Sequence, residues 1–379
     1  MKQVALALAL VLAAAPAYAQ IGGIGKAIRK ADKAKEKTDK VLDLVISEAD
    51  ERKIGELVSD RVRVEFGVFQ DEAVTKYVTL VGTVLTQASS RPDLKWEFIV
   101  LDTDGVNAFA SPGGLVHITR GALGLIKSEA ELAGVLGHEI AHVTGKHTVN
   151  AIRKNKTVEL SADIAPGSNQ FFEGLANAAY DNIVEKGFDR GDEEDADKKG
   201  VRLANEVGYN PSGLGTFLTK LAERNKEQAD ERNGLFASHP ETQGRISDLA
   251  KQIQSEKLTA PAQVQPRYAS HVTFDATPIS EIATVVAGTR GVAGGGKEGA
   301  KAEDKDDKAD EAPKKRGFGL GSLSLSRGKQ KESTQASASA GNRAVGKDRA
   351  AKGGSNPSKL QLPALTPAEL EAFRKGIAG

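Results

Sequence analysis

The sequence predicts an α+β protein, mainly helical, with a small β-sheet beside one helix that carries paired histidines. Three observations predict it. Apolar residues recur at helical spacing in several separated stretches, between Gln70 and Ala88 and again after Ser128, Asn210 and Ser238. Three short extended segments separated by turn residues fall between Trp96 and Thr119. The stretch EAELAGVLGHEIAHVTGKH, residues 129–147, places His138-Glu139-Ile140-Ala141-His142 on an amphipathic frame.

The chain has 379 residues, six histidines, no cysteine and a formal charge of +1. Its first twenty residues, MKQVALALALVLAAAPAYAQ, read as an export signal. Lys2 supplies the charge, Val4 to Ala15 the apolar run, and Ala17-Tyr18-Ala19 the small-x-small pattern, with cleavage after Ala19. The run is short for a membrane span of about 20 residues. No later segment resembles a span and no cysteine follows for lipid attachment. These features predict an exported, periplasmic protein with no integral span. Peripheral association with the envelope and the oligomeric state stay open.

Without cysteine there are neither disulfides nor thiolate ligands, so a metal site must use histidine, carboxylate and water. A charge near zero argues against nucleic-acid binding.

Residues 20–50 alternate charged residues with small apolar patches and read as an N-terminal helical arm. A folded domain is expected over 51–258. Val74, Tyr77, Val78, Val81, Val84 and Leu85, together with Ala73, predict a core helix that Arg91-Pro92 ends. Trp96 to Leu101, Val106 to Ala110 and Leu115 to Thr119 predict a small meander of strands, the last two joined through Pro112-Gly113-Gly114. A short helix is expected from Arg120. Ser128 and Glu131 form a capping box for the next helix, with Leu132, Val135, Leu136, Ile140 and Val143 as its apolar stripe. Gly134, Gly137, Ala141 and Gly145 predict close approach of a neighbouring element, since interior glycines otherwise cost helix stability.

Helix is expected to continue past His147 to about Leu160, to resume from Phe171 to Val184, and to run again from about Gly191 to Val207. Asn210-Pro211 reads as a cap followed by proline at the first helical position. Ser238-His239-Pro240-Glu241 reads the same way, with a capping box. The packed part is expected to end near Leu258. Residues 259–379 read as a low-complexity, largely disordered tail, because Gly291 to Ser355 is too poor in long apolar side chains to fold alone. A short C-terminal helix capped by Thr366 either docks on the body or stays loose.

The chemistry follows from helical spacing. His138 and His142, four apart, offer two imidazoles to one ion, and Glu139 is near enough to act on a water that the ion activates. A catalytic zinc usually takes three protein ligands. Spacing alone leaves the third open among Asp192, Glu193, Glu194, Asp195 and Asp197. His147 lies off the four-residue face and reads as structural, as do His117 and His271.

Several separated motifs resemble the M48 family of zinc metallopeptidases, over roughly Ile54 to Leu249. Beside HEIAH, Arg190-Gly191-Asp192-Glu193-Glu194-Asp195-Ala196-Asp197 is similar to the family's Arg-x-x-Glu-x-x-Ala-Asp. The resemblance implies a zincin-type domain holding one Zn2+ per chain, with Glu193 as third ligand and Asp197 orienting a ligand histidine. Asn107-Ala108-Phe109-Ala110, followed by Pro112-Gly113-Gly114, resembles the family's strand edge for an extended substrate. His239-Pro240 with Arg245 resembles a motif whose histidine approaches the site, either supporting the transition state or closing the site at rest.

The implied activity is that of a zinc metalloendopeptidase acting on extended or unfolded envelope proteins, with Glu139 as general base, His239 assisting, and protein or peptide substrates as partners. Two other readings stand beside it. One is a zinc hydrolase for a non-peptide or cell-wall substrate; the other is a chaperone-like assembly or scaffold protein that keeps a largely closed zinc site. The helical-repeat domain that better-known periplasmic relatives often carry is not visible after Leu258, which weakens transfer of their role in outer-membrane assembly.

Overall fold

The computed structural model describes residues 45–154, 164–224, 239, 242–278, 360 and 362–378. The export segment, most of the N-terminal arm and most of the tail lie outside the described residues.

Helix α1 (Glu48–Phe66) opens on Ser47, whose hydroxyl accepts from Asp50 N while the Asp50 carboxylate accepts the Ser47 N–H. Helix α2 (Glu72–Ala88) is capped by Asp71 and buries Val74, Tyr77, Val78, Val81, Val84 and Leu85. The expected stripe is therefore the buried one, save for exposed Ala73.

Strands β1 (Glu97–Leu101), β2 (Ala108–Ser111) and β3 (Leu115–Thr119) form one sheet in the order β1-β3-β2. The expected meander needs correcting. β2 and β3 do form a hairpin, with Gly113 and Gly114 at positive φ, but β1 pairs parallel to β3 on its far side. The outer edge of β1 is taken by the chain after α1, through Phe69 N to Val100 O and Asp102 N to Gly67 O. Two edges of β1 are thus used without β2.

Both faces of this sheet are covered, and strand alternation divides them. Phe98, Val100, Val116 and Ile118 join one apolar cluster with α2 and helix α4 (Glu129–Thr144). Ile99, Leu101, Phe109 and Leu115 join a second with α1 and helix α6 (Asn169–Tyr180). Short helices α3 (Arg120–Leu125) and α5 (His147–Lys154) flank α4 in sequence. The expected extension of α5 to Leu160 falls outside the described residues after Lys154. Helix α6 runs on into a π-helical segment, Asp181–Lys186, which sequence periodicity did not separate from it.

Helix α4 is buried from Glu129 to Val143. It is crossed by α7 (Arg190–Glu206) and α8 (Gly213–Arg224). The crossing explains the small residues: a Cβ on Gly200 would stand 2.7 Å from His138 N, and one on Gly134 would stand 2.5 Å from Leu214 N. Helix α8 begins at Gly213 rather than at Pro211, because Asn210 Oδ1 accepts from Ser212 N and forms a turn first. Helix α9 (Thr242–Glu256) packs on α7 and α8.

The packed body does not stop at Leu258. Helix α10 (Gln265–His271) buries Tyr268, and α11 (Pro367–Ala378) returns to bury Phe373 and Ile377 in the cluster around α2 and α4. Arg267 fastens both, since it pairs with buried Glu129 and donates to Phe373 O at 3.1 Å.

Candidate metal centre

Helix α4 presents His138 and His142 one turn apart, α7 brings Glu193 from its first turn, and His239 enters from the segment before α9. One ligand atom from each of the four lies within 4.8 Å of the others. His138 Nε2 is 3.0 Å from His142 Nε2 and 3.2 Å from His239 Nδ1. Glu193 Oε1 is 3.3 Å from His142 Nε2 and 2.7 Å from His239 Nδ1, and Glu193 Oε2 is 3.5 Å from His138 Nε2. Donors about 2.0–2.1 Å from a tetrahedral zinc ion stand about 3.3–3.4 Å apart. The spacing fits such an ion, and three imidazoles with one carboxylate are donors it accepts.

The electrostatics agree. His138 Nδ1 lies 2.9 Å from Asp197 Oδ1. A carboxylate only accepts, so the imidazole proton sits on Nδ1 and Nε2 turns its lone pair to the cluster. Burial holds His142 well below its ordinary pKa, and thus neutral. Burial pushes Glu193 up, but the charge of His239 and the hydrogen bonds of His142 and His239 outweigh it and hold the carboxyl well below its usual range. Burial pushes His239 down, while Glu193 and Glu139 outweigh it and raise it. The cluster thus draws positive charge into a buried place.

Glu139 stands beside this set. Neither of its oxygens accepts a hydrogen bond among the described residues, and His239 Nε2 is 3.5 Å from Oε1. Burial raises its pKa, giving a buried carboxyl with greater proton affinity than an exposed glutamate.

Arg245 ties the framework together. Its Nε and Nη2 grip Asp197 at 2.8 and 2.7 Å, its Nη1 is 2.8 Å from Glu193 Oε2, and it reaches His239 O at 3.4 Å. Sequence placed Arg245 only as the companion of the His-Pro pair. His147, read as structural, lies with Nδ1 2.9 Å from His142 Nδ1. Phe188 was not foreseen and stacks on His142 with ring centroids 4.0 Å apart. The other two histidines stay away: His117 Nε2 meets Ser59 Oγ at 2.9 Å, and His271 stacks on Tyr77.

The strand edge is also located. Asn107 pairs with Thr119 ahead of β2, and Ala108, Phe109 and Ala110 lie in β2 itself. This edge is not free to take a peptide as it stands. All four residues are buried, and beyond the β3 pairing β2 packs against α4 and the π-helical segment.

Comparison with known proteins agrees with this geometry. The profile of peptidase family M48 matches residues 72–253. A beta-barrel assembly-enhancing protease of Yersinia pestis is 25% identical over 227 residues, which is 57% of this chain and 46% of the relative. The mitochondrial metalloendopeptidase OMA1 of Schizosaccharomyces pombe is 29% identical over 184 residues, 48% of this chain and 54% of its own. The metalloprotease LoiP of Escherichia coli is 26% identical over 161 residues, 40% of this chain and 61% of its own. The chain thus spans about half the length of the first two relatives. Residues 72–253, the stretch that holds every side chain of the cluster, thus match peptidase family M48.

Proposed function

We propose that the protein is a zinc-dependent endopeptidase that cleaves extended or unfolded proteins of the cell envelope. The observation that carries this is the convergence of His138, His142 and Glu193, with Glu139 beside them, its oxygens accepting no hydrogen bond among the described residues. His138, His142 and Glu193 hold the ion. The chemistry such an ion supplies is Lewis-acid activation of water and of the scissile carbonyl. Glu139 takes the water's proton and passes it to the leaving amine, a task for which its raised proton affinity suits it. Asp197 keeps His138 in the binding tautomer. An extended substrate pairs with Asn107 to Ala110 once the π-helical segment yields the edge. Residues 1–19 direct export to the periplasm, which supplies the substrate class.

His239 closes the site at rest. Its Nδ1 belongs to the donor set, whereas a catalytic zinc keeps one position open. The side chains of His138, Glu139, His142, Glu193 and His239 are each no more than 4% exposed. This burial also favours a second reading, an assembly protein with a largely closed site.

The test is cleavage of casein by the purified full-length chain, with zinc measured on the same sample. Wild type and His239→Ala should both bind zinc, and the variant should cleave faster because the site is released. Glu139→Gln added to either should cut cleavage by about 10²–10⁴-fold with zinc retained. Zinc binding without cleavage in either form, and partner binding indifferent to Glu139→Gln, would favour the assembly protein.

A further inference from the structure

His138 is oriented directly by a carboxylate, but His142 meets another imidazole. His142 Nδ1 faces His147 Nδ1 at 2.9 Å, and His147 Nε2 faces Asp195 Oδ2 at 2.9 Å. Lys199 Nζ holds the same Asp195 oxygen at 2.6 Å. We infer that His147 and Asp195 are positioning residues for the metal site, fixing His142 in the tautomer that leaves its Nε2 free to bind.

The protons can be assigned by elimination. Asp195 only accepts, so His147 Nε2 carries the hydrogen. A His142 that binds through Nε2 keeps its own proton on Nδ1, which makes His147 Nδ1 the acceptor across the 2.9 Å contact. His142 Nδ1 must then donate to it, and the lone pair of His142 is left on Nε2. That atom lies 3.0 Å from His138 Nε2 and 3.3 Å from Glu193 Oε1, within the donor set. The opposite tautomer would put two acceptor nitrogens 2.9 Å apart and aim an N–H at the ion.

The backbone is built around this contact. Helix α4 ends at Gly145, and Lys146 takes φ +56°, a conformation that costs energy for a residue with a side chain. The reversal carries His147, which a continuous helix would point elsewhere, back over His142. A Cβ on Gly145 would lie 2.4 Å from His147 Nε2, so the ring occupies the space that glycine leaves. Phe188 stacks on His142 and meets His147 edge-on, covering the pair. His147 is buried, whereas the Asp195 side chain is 40% exposed, so the chain of contacts runs from the donor set to the surface.

The acidic run of α7 thereby acquires three separate tasks. Glu193 is a donor, Asp197 orients His138 directly, and Asp195 orients His142 through His147.

This inference rests on the proposed zinc site, and two readouts keep the fates of the two apart. The first is zinc affinity of the full-length chain, measured by competition with a chelating dye for wild type, His147→Leu, His147→Asn and Asp195→Ala. His147→Leu should weaken zinc about 10–100-fold, the range for lost orienting partners. His147→Asn, whose amide oxygen can accept where Nδ1 does, should stay within about threefold. Asp195→Ala should fall between them. A purely structural His147 would shift the melting temperature of the metal-free protein and leave zinc affinity unchanged in His147→Leu, which would overturn the inference.

The second readout is the histidine ring tautomer of metal-free wild type by long-range 1H–15N NMR. The expected state is His142 protonated on Nδ1 and His147 on Nε2; a proton on His142 Nε2 overturns the inference even if a variant fails to fold. Wild type that binds no zinc would sink the zinc reading, while the tautomers would still decide the relay.

Discussion

Arg245 and Asp197 form a two-pronged ion pair in the interior, and the Asp197 oxygen held by Nη2 at 2.7 Å is also 2.9 Å from His138 Nδ1. One carboxylate thus serves the guanidinium of Arg245 behind it and the imidazole of His138 in front. Its pKa is about 2: burial pushes it up, but the hydrogen bonds of Arg245 and His138 prevail. Removing the guanidinium leaves Asp197 and Glu193 buried without their cation. Arg245→Ala should therefore destabilise the protein by about 3–5 kcal/mol, measured by urea unfolding of the metal-free chain. Arg245→Lys should not restore it, since a point charge cannot reproduce the fork. Wild-type stability in Arg245→Ala would show the pair to be neutral in balance.

Neighbouring glutamates of α7 should behave differently. Glu193 is buried in the donor set, whereas Glu194 is 40% exposed and pairs with Arg190 on the outer face. Glu193→Ala should lower zinc occupancy of the purified protein, and Glu194→Ala should leave it unchanged. Metal analysis of both decides it; equal occupancy would remove Glu193 from the ligand set.

Local spacing made some of this legible and long-range geometry hid the rest. The imidazole pair lies four residues apart on one helix, so periodicity carries it, whereas spacing left the third donor open within residues 192–197 and the resemblance over Arg190 to Asp197 singled out Glu193 and Asp197. Strand order was hidden because pairing of β1 with both Val68 and β3 depends on segments remote in sequence. His147 was hidden because five-residue spacing is off-face only while the helix continues, and Lys146 at positive φ ends that condition. The boundary at Leu258 failed for another reason. Tyr268, Val272, Phe373 and Ile377 are few and scattered among polar residues, so their burial produces no sustained period.

His117 supplies a pH dependence away from the metal centre. Burial, with a smaller push from Arg63, brings its pKa from 6.5 down to about 3 in the folded protein. Between those values the unfolded chain binds a proton that the folded chain refuses, so stability falls as pH drops through that window. The slope from this group approaches about 1.4 kcal/mol per pH unit, and it vanishes above about pH 6.5. His117→Gln keeps a polar atom for Ser59 and removes the titration. The stability difference between wild type and this variant, followed by urea unfolding from pH 8 to 4, should move against wild type as pH falls. A difference independent of pH would mean that His117 titrates in the fold as it does in the unfolded chain.

The returning helix α11 should be part of the domain's stability. Phe373 packs edge-on to Tyr77 with centroids 6.1 Å apart, Arg267 lies over its ring at 4.1 Å, and Ile377 is 4% exposed. Lys76 pairs with Glu369 at 2.6 Å on the half-exposed rim, where an ion pair contributes little, so the apolar anchors dominate. Phe373→Ala should cost about 3–5 kcal/mol, the range for an aromatic truncated in a packed core. Removing residues 360–379 should cost at least as much, because Ile377 is lost and Arg267 no longer has the Phe373 carbonyl to donate to. Urea unfolding of both variants tests this, with the slope reporting whether the rest of the body stays compact. An unchanged midpoint in the truncated chain would mean that α11 rests on the domain without stabilising it, and the folded unit would then end before Leu360.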